Sequence, residues 1–243
     1  MVLPILNAPT FDVKVPSTGK TIKCRTLCVK ENKLLLMALE ANDEKETVNA
    51  LKQIFKNCII EPRGHKIDNL AVFDFEYIFL KIRSKSKGEI VTLKYNGIEN
   101  SECEECKKPK IVNINLSSIE VKKNPEHSLK IQLTDDVGVK MKYPQFNIFE
   151  KISNTVESVE LYFDLIKNCI ECIYDGSDQV YDVKDIPVEE FDTFLDSLTA
   201  EQFEKIIKFF ETMPVIEYEI DLGCKTCGRE DKQVIRGLQN FFQ

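Results

Sequence analysis

The chain has 243 residues, of which 43% are apolar and 30% charged. That is enough for one large domain or two small ones with a real core, and it excludes a disordered tail, a collagen-like fibre and a coiled-coil rod. A net charge of −7 argues against bulk attraction to nucleic acid or anionic lipid, and no uncharged apolar run approaches the ~18 residues that span a bilayer.

The opening Met1-Val2-Leu3-Pro4-Ile5 lacks the basic start and apolar core of a signal peptide. Next, Phe11, Val13 and Val15 alternate with polar residues, as do Ile22 and Cys24. With Pro16-Ser17-Thr18-Gly19 between them, this predicts a β-hairpin. A helix is expected over 30–41, with Leu34, Leu35, Ala38 and Leu39 on one side. A second should run to about residue 59 on a face of Leu51, Ile54, Phe55 and Cys58, closed by Pro62-Arg63-Gly64. Asp68 can cap a third, which carries Phe75, Ile78, Phe79 and Ile82 and ends in Lys81, Arg83, Lys85 and Lys87. Strands are expected over 90–95 and 111–116, on either side of Cys103-Glu104-Glu105-Cys106.

Leu129, Ile131 and Leu133 alternate as a strand before the turn Asp135-Asp136-Val137-Gly138. A long helix over 154–174 is expected from Ile166, Cys169, Ile170 and Ile173 at i, i+3, i+4, i+7. A turn at Asp175–Asp178 and a strand over 180–183 follow. Pro187 opens a helix with Phe191, Phe194, Leu195 and Leu198. Thr199-Ala200-Glu201-Gln202 forms a capping box for a helix that turns Phe203, Ile206, Ile207 and Phe210 inward and stops before Pro214. A strand over 215–220 leads to Cys224-Lys225-Thr226-Cys227, and Val234 to Phe242 closes the chain. The helix faces are expected to form one core with both hairpins, with Cys58 and Cys169 buried in it.

The predicted class is α+β: helices packed with small antiparallel β-hairpins. Four segments are expected: an N-terminal hairpin and helix (1–43), a first helical and hairpin repeat (44–121), a connection (122–153) and a second repeat (154–243). Lys56-Asn57-Cys58-Ile59 and Lys167-Asn168-Cys169-Ile170 mark the same place in each repeat, and each repeat ends in strand, Cys-x-x-Cys, strand. This suggests an internal pseudo-twofold duplication with two zinc-ribbon-like knuckles.

Nine cysteines and no secretory signal favour metal ligation over disulfides. A Cys-x-x-Cys turn aims two thiolates at one ion, and structural zinc takes four in a tetrahedron. The expected ligands of one structural zinc ion are therefore Cys103, Cys106, Cys224 and Cys227, although more than a hundred residues separate the pairs. Two hairpins facing each other would explain that separation. Lys107, Lys225 or Arg229 would offset the formal −2 charge of such a site. Separate turns without metal, and disulfides, are the alternatives. Cys169 and Cys172 share the spacing but sit on a predicted helix, where a buried thiol is the simpler reading. Cys24 and Cys28 read as core or surface thiols.

No catalytic set is recognisable. His65 and His127 are the two histidines, and neither has sequence neighbours that make a triad or ligand set. The chain has no P-loop, Gly-x-Gly-x-x-Gly or Gly-x-Ser-x-Gly, and Asp175–Asp178 lacks EF-hand spacing. An enzyme is not expected. A zinc-ribbon adaptor for nucleic acid or a polymerase is the alternative function, though Glu102, Glu104 and Glu105 around the first pair disfavour phosphate contact.

Several phrases resemble one family. Val15-Pro16-Ser17-Thr18-Gly19-Lys20, then Val29-Lys30-Glu31-Asn32-Lys33-Leu34-Leu35-Leu36-Met37-Ala38-Leu39-Glu40, are similar to the start of baseplate hub subunits of T-even-like contractile-tailed bacteriophages. So are Phe79-Leu80-Lys81-Ile82-Arg83-Ser84-Lys85-Ser86, Met141-Lys142-Tyr143-Pro144, Phe209-Phe210-Glu211-Thr212-Met213-Pro214 and Gly237-Leu238-Gln239-Asn240-Phe241-Phe242. The resemblance implies a non-enzymatic structural or assembly subunit of the virion tail baseplate, assembled in the host cytoplasm. It implies other hub and tail proteins as partners, in an assembly that could hold several copies. Neither membrane nor direct nucleic-acid contact is expected. The zinc ligands rest on spacing, not on the resemblance.

Overall fold

Alternating side chains build the first sheet. Strands β1 (Thr10–Lys14) and β2 (Thr21–Arg25) pair antiparallel with Phe11 opposite Cys24 and Val13 opposite Ile22. Val13, Ile22 and Cys24 are buried, so one face of the hairpin is core and the other wet. Val15 N–H donates to Lys20 C=O at 2.8 Å to close the turn, with Gly19 at φ 69°. Helix α1 (Val29–Ala41) follows, then α2 (Glu44–Cys58). Asp43 caps α2, its Oδ1 accepting from Lys45 N–H at 2.7 Å and Glu46 N–H at 3.1 Å. At Ile59 the chain becomes β3 (Ile59–Glu61) and pairs with β2.

The computed structural model describes residues 6–41, 43–62, 69–98, 101–148, 159–177 and 179–237. His65, Asp68 and Arg63-Gly64 lie outside them, as do the start of the helix expected over 154–174 and most of the closing segment. Helix α3 (Val72–Lys87) begins without a side-chain cap at Ala71. It buries Phe73, Phe75, Ile78, Phe79, Leu80 and Ile82 on more than one face, as a central helix does. Each such side chain contributes about 1.5–3 kcal/mol when fully buried. Phe75 stacks on Phe55 of α2 at 3.9 Å between ring centres. Asp74, in the first turn of α3, is buried and accepts from the Ser17 N–H at 2.9 Å and from the Ser17 hydroxyl. Strand β4 (Ile90–Tyr95), the single turn α4 (Glu104–Lys107), β5 (Lys110–Asn115) and the short β6 (Val121–Lys122) complete this stretch.

Residues 123–214 form a separate compact unit. Its sheet contains β7 (Lys130–Gln132), β8 (Gly138–Met141), β9 (Ile170–Tyr174) and β10 (Val180–Asp182), all antiparallel, in the order β10-β9-β8-β7. Helices α5 (Val159–Cys169), α6 (Val188–Asp196) and α7 (Ala200–Thr212) accompany it. Val139, Met141, Ile166, Cys169, Ile170, Phe191, Ile206 and Phe209 are its buried core. Both bonds of the Thr199 capping box form: Thr199 N–H to Gln202 Oε1 at 2.9 Å and Gln202 N–H to Thr199 Oγ1 at 3.3 Å.

The chain then re-enters the first unit, which consists of 1–122 and 215–243. Strand β11 (Val215–Asp221) pairs with β6 on one side and β12 (Lys232–Arg236) on the other. The second knuckle lies between β11 and β12, as the first lies between β4 and β5.

The α+β class therefore holds, with two local corrections. The helix expected through residue 174 ends at Cys169, and Ile170–Tyr174 is an inner strand of the sheet. The same apolar positions serve both periods over so short a run, and β-branched Ile170 and Ile173 suit the strand. The named helix faces also do not share one core. Ile54, Phe55, Ile78 and Ile82 lie in the first unit, and Ile166, Phe191 and Ile206 in the second. Cys58 and Cys169 are nevertheless both buried, one in each.

Candidate metal centre

The first knuckle is a tight turn anchored by its own backbone. Cys103 is the N-cap of α4 in extended conformation, and the Cys106 N–H donates to the Cys103 carbonyl at 3.0 Å. Ser101 Oγ accepts from the Cys103 N–H at 3.2 Å, and the Cys106 carbonyl accepts from the Ile98 N–H at 2.8 Å. Gly97 runs directly beneath. A Cβ there would lie 1.8 Å from the Lys107 carbonyl oxygen, so only glycine admits this approach.

The second knuckle closes a longer loop. Leu222 N–H donates to Asp231 C=O at 2.6 Å and Cys224 N–H to Arg229 C=O at 2.8 Å, which continues the β11–β12 ladder to the cysteines. Gly228, just past Cys227, has φ 72° and turns the chain back. Lys110 links the two hairpins: its Nζ donates to the Gly223 carbonyl at 2.6 Å and to the Leu222 carbonyl.

The four sulfurs converge. Cys103 Sγ lies 3.9 Å from Cys224 Sγ, and Cys106 Sγ lies 3.6 Å from Cys227 Sγ. All four lie within 4.8 Å of one another. Metal–sulfur bonds of about 2.3 Å in a regular tetrahedron place the sulfurs about 3.8 Å apart. The two facing separations, 3.9 and 3.6 Å, are close to that figure. Cys106 and Cys224 are buried, Cys103 is half-buried and Cys227 exposed. The N–H groups of Cys227 and Thr226 lower the Cys224 thiol to about 6. Burial first, then hydrogen bonding with Cys224 and Cys227, raises Cys106 to about 12. N–H donors on a sulfur are also what steadies a metal-bound thiolate.

The expected charge-balancing residues behave differently. Lys107 pairs with Glu104 at 2.6 Å and Arg229 with Asp231 at 2.5 Å, so both are engaged by carboxylates. Gly97 and Ser101, which sequence reasoning passed over, hold the knuckles together with Lys110, whose charge alone the sequence suggested. Only Gly97, after Tyr95-Asn96, carried a local turn signal.

The other candidates are structural. His127 stacks against Tyr143 at 5.5 Å between ring centres and meets Phe209 at a tilt at 5.0 Å, and its Nδ1 lies 3.0 Å from Thr212 Oγ1. Burial lowers its pKa. Lys81 donates to the Ser117 and Ile119 carbonyls at 2.7 and 2.9 Å, and Lys85 pairs with Glu89 at 2.7 Å. These cations are used within the protein. Cys172 lies half-buried on β9, not in a knuckle beside Cys169. Cys24 is buried, and half-buried Cys28 accepts from Arg25 at 3.3 Å.

Fold and site thus define an α+β protein whose interrupted unit is drawn together at a four-cysteine cluster. The chain belongs to the T4 bacteriophage base plate protein family, which it matches over residues 8–243. It is 26% identical over 235 residues to the baseplate hub assembly protein gp26 of Enterobacteria phage T4, covering 96% of this chain and 97% of that protein. No solved structure matches it. No helix among the described residues is long and apolar enough to cross a membrane.

Proposed function

We propose that the protein is a structural and assembly subunit of the phage tail baseplate hub. In this reading it acts through contacts with other baseplate proteins, and its four cysteines hold one structural zinc ion. The family match over almost the whole chain supports the first part, and the relative's name as a hub assembly protein supports the hub. The observation that supports the zinc is the convergence of Cys103, Cys106, Cys224 and Cys227 within 4.8 Å, contributed by two hairpins far apart in sequence. Four thiolates fill a tetrahedral ion's coordination, which leaves no position for substrate and fits a staple, not a reaction centre. The ion would clasp β4–β5 to β11–β12 and so close the interrupted unit.

An internal duplication belongs to the same proposal. Lys-Asn-Cys-Ile ends a helix and starts a strand at both Cys58-Ile59 and Cys169-Ile170. Each half then ends in a helix, a strand, a knuckle and a strand, the second half having an extra strand, Val180–Asp182, and an extra helix, Val188–Asp196, before them.

Two experiments test the reading. Phage unable to make this chain should yield lysates without complete baseplates, restored when the chain is supplied in trans. Normal baseplates in its absence would overturn the assembly role. Elemental analysis of protein purified without chelator should find one zinc per chain, and its absence would overturn the metal.

A further inference from the structure

We infer that the same four cysteines have a second, covalent state: without metal they close two disulfides across the hairpins, Cys103 to Cys224 and Cys106 to Cys227. The inference deepens the metal reading by assigning its ligand set a redox alternative, yet its geometry stands whether or not an ion binds.

The facing sulfurs are 3.9 and 3.6 Å apart. A disulfide is about 2.05 Å long, so each pair must close by less than ~2 Å. Side-chain rotation can supply that, since the hairpins are already held side by side by Lys110 on the Leu222 and Gly223 carbonyls. Each crossed pair also joins residues 121 apart in sequence. A bond within one knuckle would close only a four-residue turn and leave the hairpins unlinked. The facing sulfurs select the crossed pairs, and closing the long loop makes those bonds the more stabilising ones, because it restricts the unfolded chain far more.

A low-molecular-weight disulfide such as oxidised glutathione serves as the oxidant. The exposed Cys227 sulfur attacks it, forming a protein–glutathione bond and expelling one glutathione thiolate. Cys106, 3.6 Å away, attacks the Cys227 sulfur of that mixed disulfide and expels the second. Two protein thiols are oxidised and one glutathione disulfide is reduced to two thiols. Cys103 and Cys224 react likewise. A bound divalent ion leaves with its four thiolates converted to two disulfides, balanced by four glutathione thiolates. A reducing cytosol keeps the thiol state, and an oxidising medium keeps the covalent one.

The test uses the full chain. Its metal content is measured first. The protein is then stripped with chelator and reductant under inert gas, exposed to oxidised glutathione, alkylated and digested. Cleavage after Glu104 or Glu105 separates Cys103 from Cys106, and cleavage after Lys225 separates Cys224 from Cys227, so the pairing can be read by mass spectrometry. Linked peptides 103–224 and 106–227 are expected. Bonds 103–106 and 224–227, the pairing 103–227 with 106–224, or four alkylated thiols would each overturn the proposal. Protein that carries no zinc as purified but forms the crossed links would sink the metal reading and leave this one standing. Zinc-bound protein that oxidises within its knuckles would do the reverse.

Discussion

Arg25 holds Glu31 in a forked ion pair, Nη2 to Oε1 at 2.9 Å and Nη1 to Oε2 at 3.3 Å, with the Glu31 side chain excluded from solvent. The same carboxylate accepts from the Cys28 N–H at 2.9 Å and from Asn57 Nδ2 at 3.1 Å. One buried charge thus joins the end of β2, the first turn of α1 and the last turn of α2.

That arrangement sets an acid limit. Burial raises the Glu31 pKa, but the Arg25 hydrogen bond and the Cys28 N–H outweigh it and hold the group at about 2. A native pKa below the ordinary 4.5 means its contribution is full above about pH 4.5 and is lost as pH falls toward 2. Glu31→Gln should cost about 2 kcal/mol at neutral pH, because the half-buried Arg25 loses its charge partner. It should also flatten the fall in stability across that acid window. Urea titrations at several pH values would show both effects, and an unchanged pH profile would refute the assignment.

Removing a ligand should remove the ion. Cys106→Ser or Cys224→Ser is expected to lose stoichiometric zinc by elemental analysis. Chelation of the wild type should expose the two hairpins to hydrogen exchange before α3. Simultaneous exchange throughout the chain would count against a local staple.

Two glycines near the knuckles should fail for different reasons. Gly97→Ala drives a methyl into the Lys107 carbonyl and should cost about 1–3 kcal/mol while weakening zinc affinity. Gly228→Ala meets nothing within 4 Å, so its cost, about 1 kcal/mol, comes from the positive φ alone. Thermal unfolding of the two variants would rank them, and equal losses would contradict the steric argument at Gly97.

The interrupted unit should survive removal of its insert. Val215 pairs with Lys122 and Ile216 with Val121, so an Asn-Gly turn can join Lys122 directly to Val215. The shortened protein is expected to stay folded and to bind one zinc. An unfolded spectrum would show that residues 123–214 are required.

Thiol reactivity should follow burial. Burial raises Cys24, Cys58 and Cys169 to about 12, so alkylation of the native protein should spare them. In metal-free protein, exposed Cys227 should react first. Cys169→Ser, which puts a hydroxyl into an apolar core, should cost about 1–3 kcal/mol.

Much of this was legible in the sequence because it is local. The Thr199 box, the turn at Gly19 and the faces of α2 and α7 depend on residues a few positions apart. The two Cys-x-x-Cys turns that meet in the four-cysteine cluster were legible too, since a knuckle is itself a spacing. The run from Ile166 to Ile173 was not, because its apolar positions fit a helix as well as the helix-to-strand change that occurs. Strands β3, β6 and β8, of three, two and four residues, are too short to carry a period. The division into two units escaped detection for the same reason: it turns on β6 meeting β11. The need for glycine at position 97 arises from a backbone ten residues away, which no pattern at 97 encodes.

That interrupted unit also sets an order of events on the ribosome. Its first 122 residues emerge well before the strands that complete them, with residues 123–214 made in between. At 5–20 residues per second the wait is on the order of ten seconds. During it, Cys103 and Cys106 have no Cys224 and Cys227 to meet, and β6 has no β11. The uninterrupted unit has all its strands first, so the older half of the chain is the last to be finished.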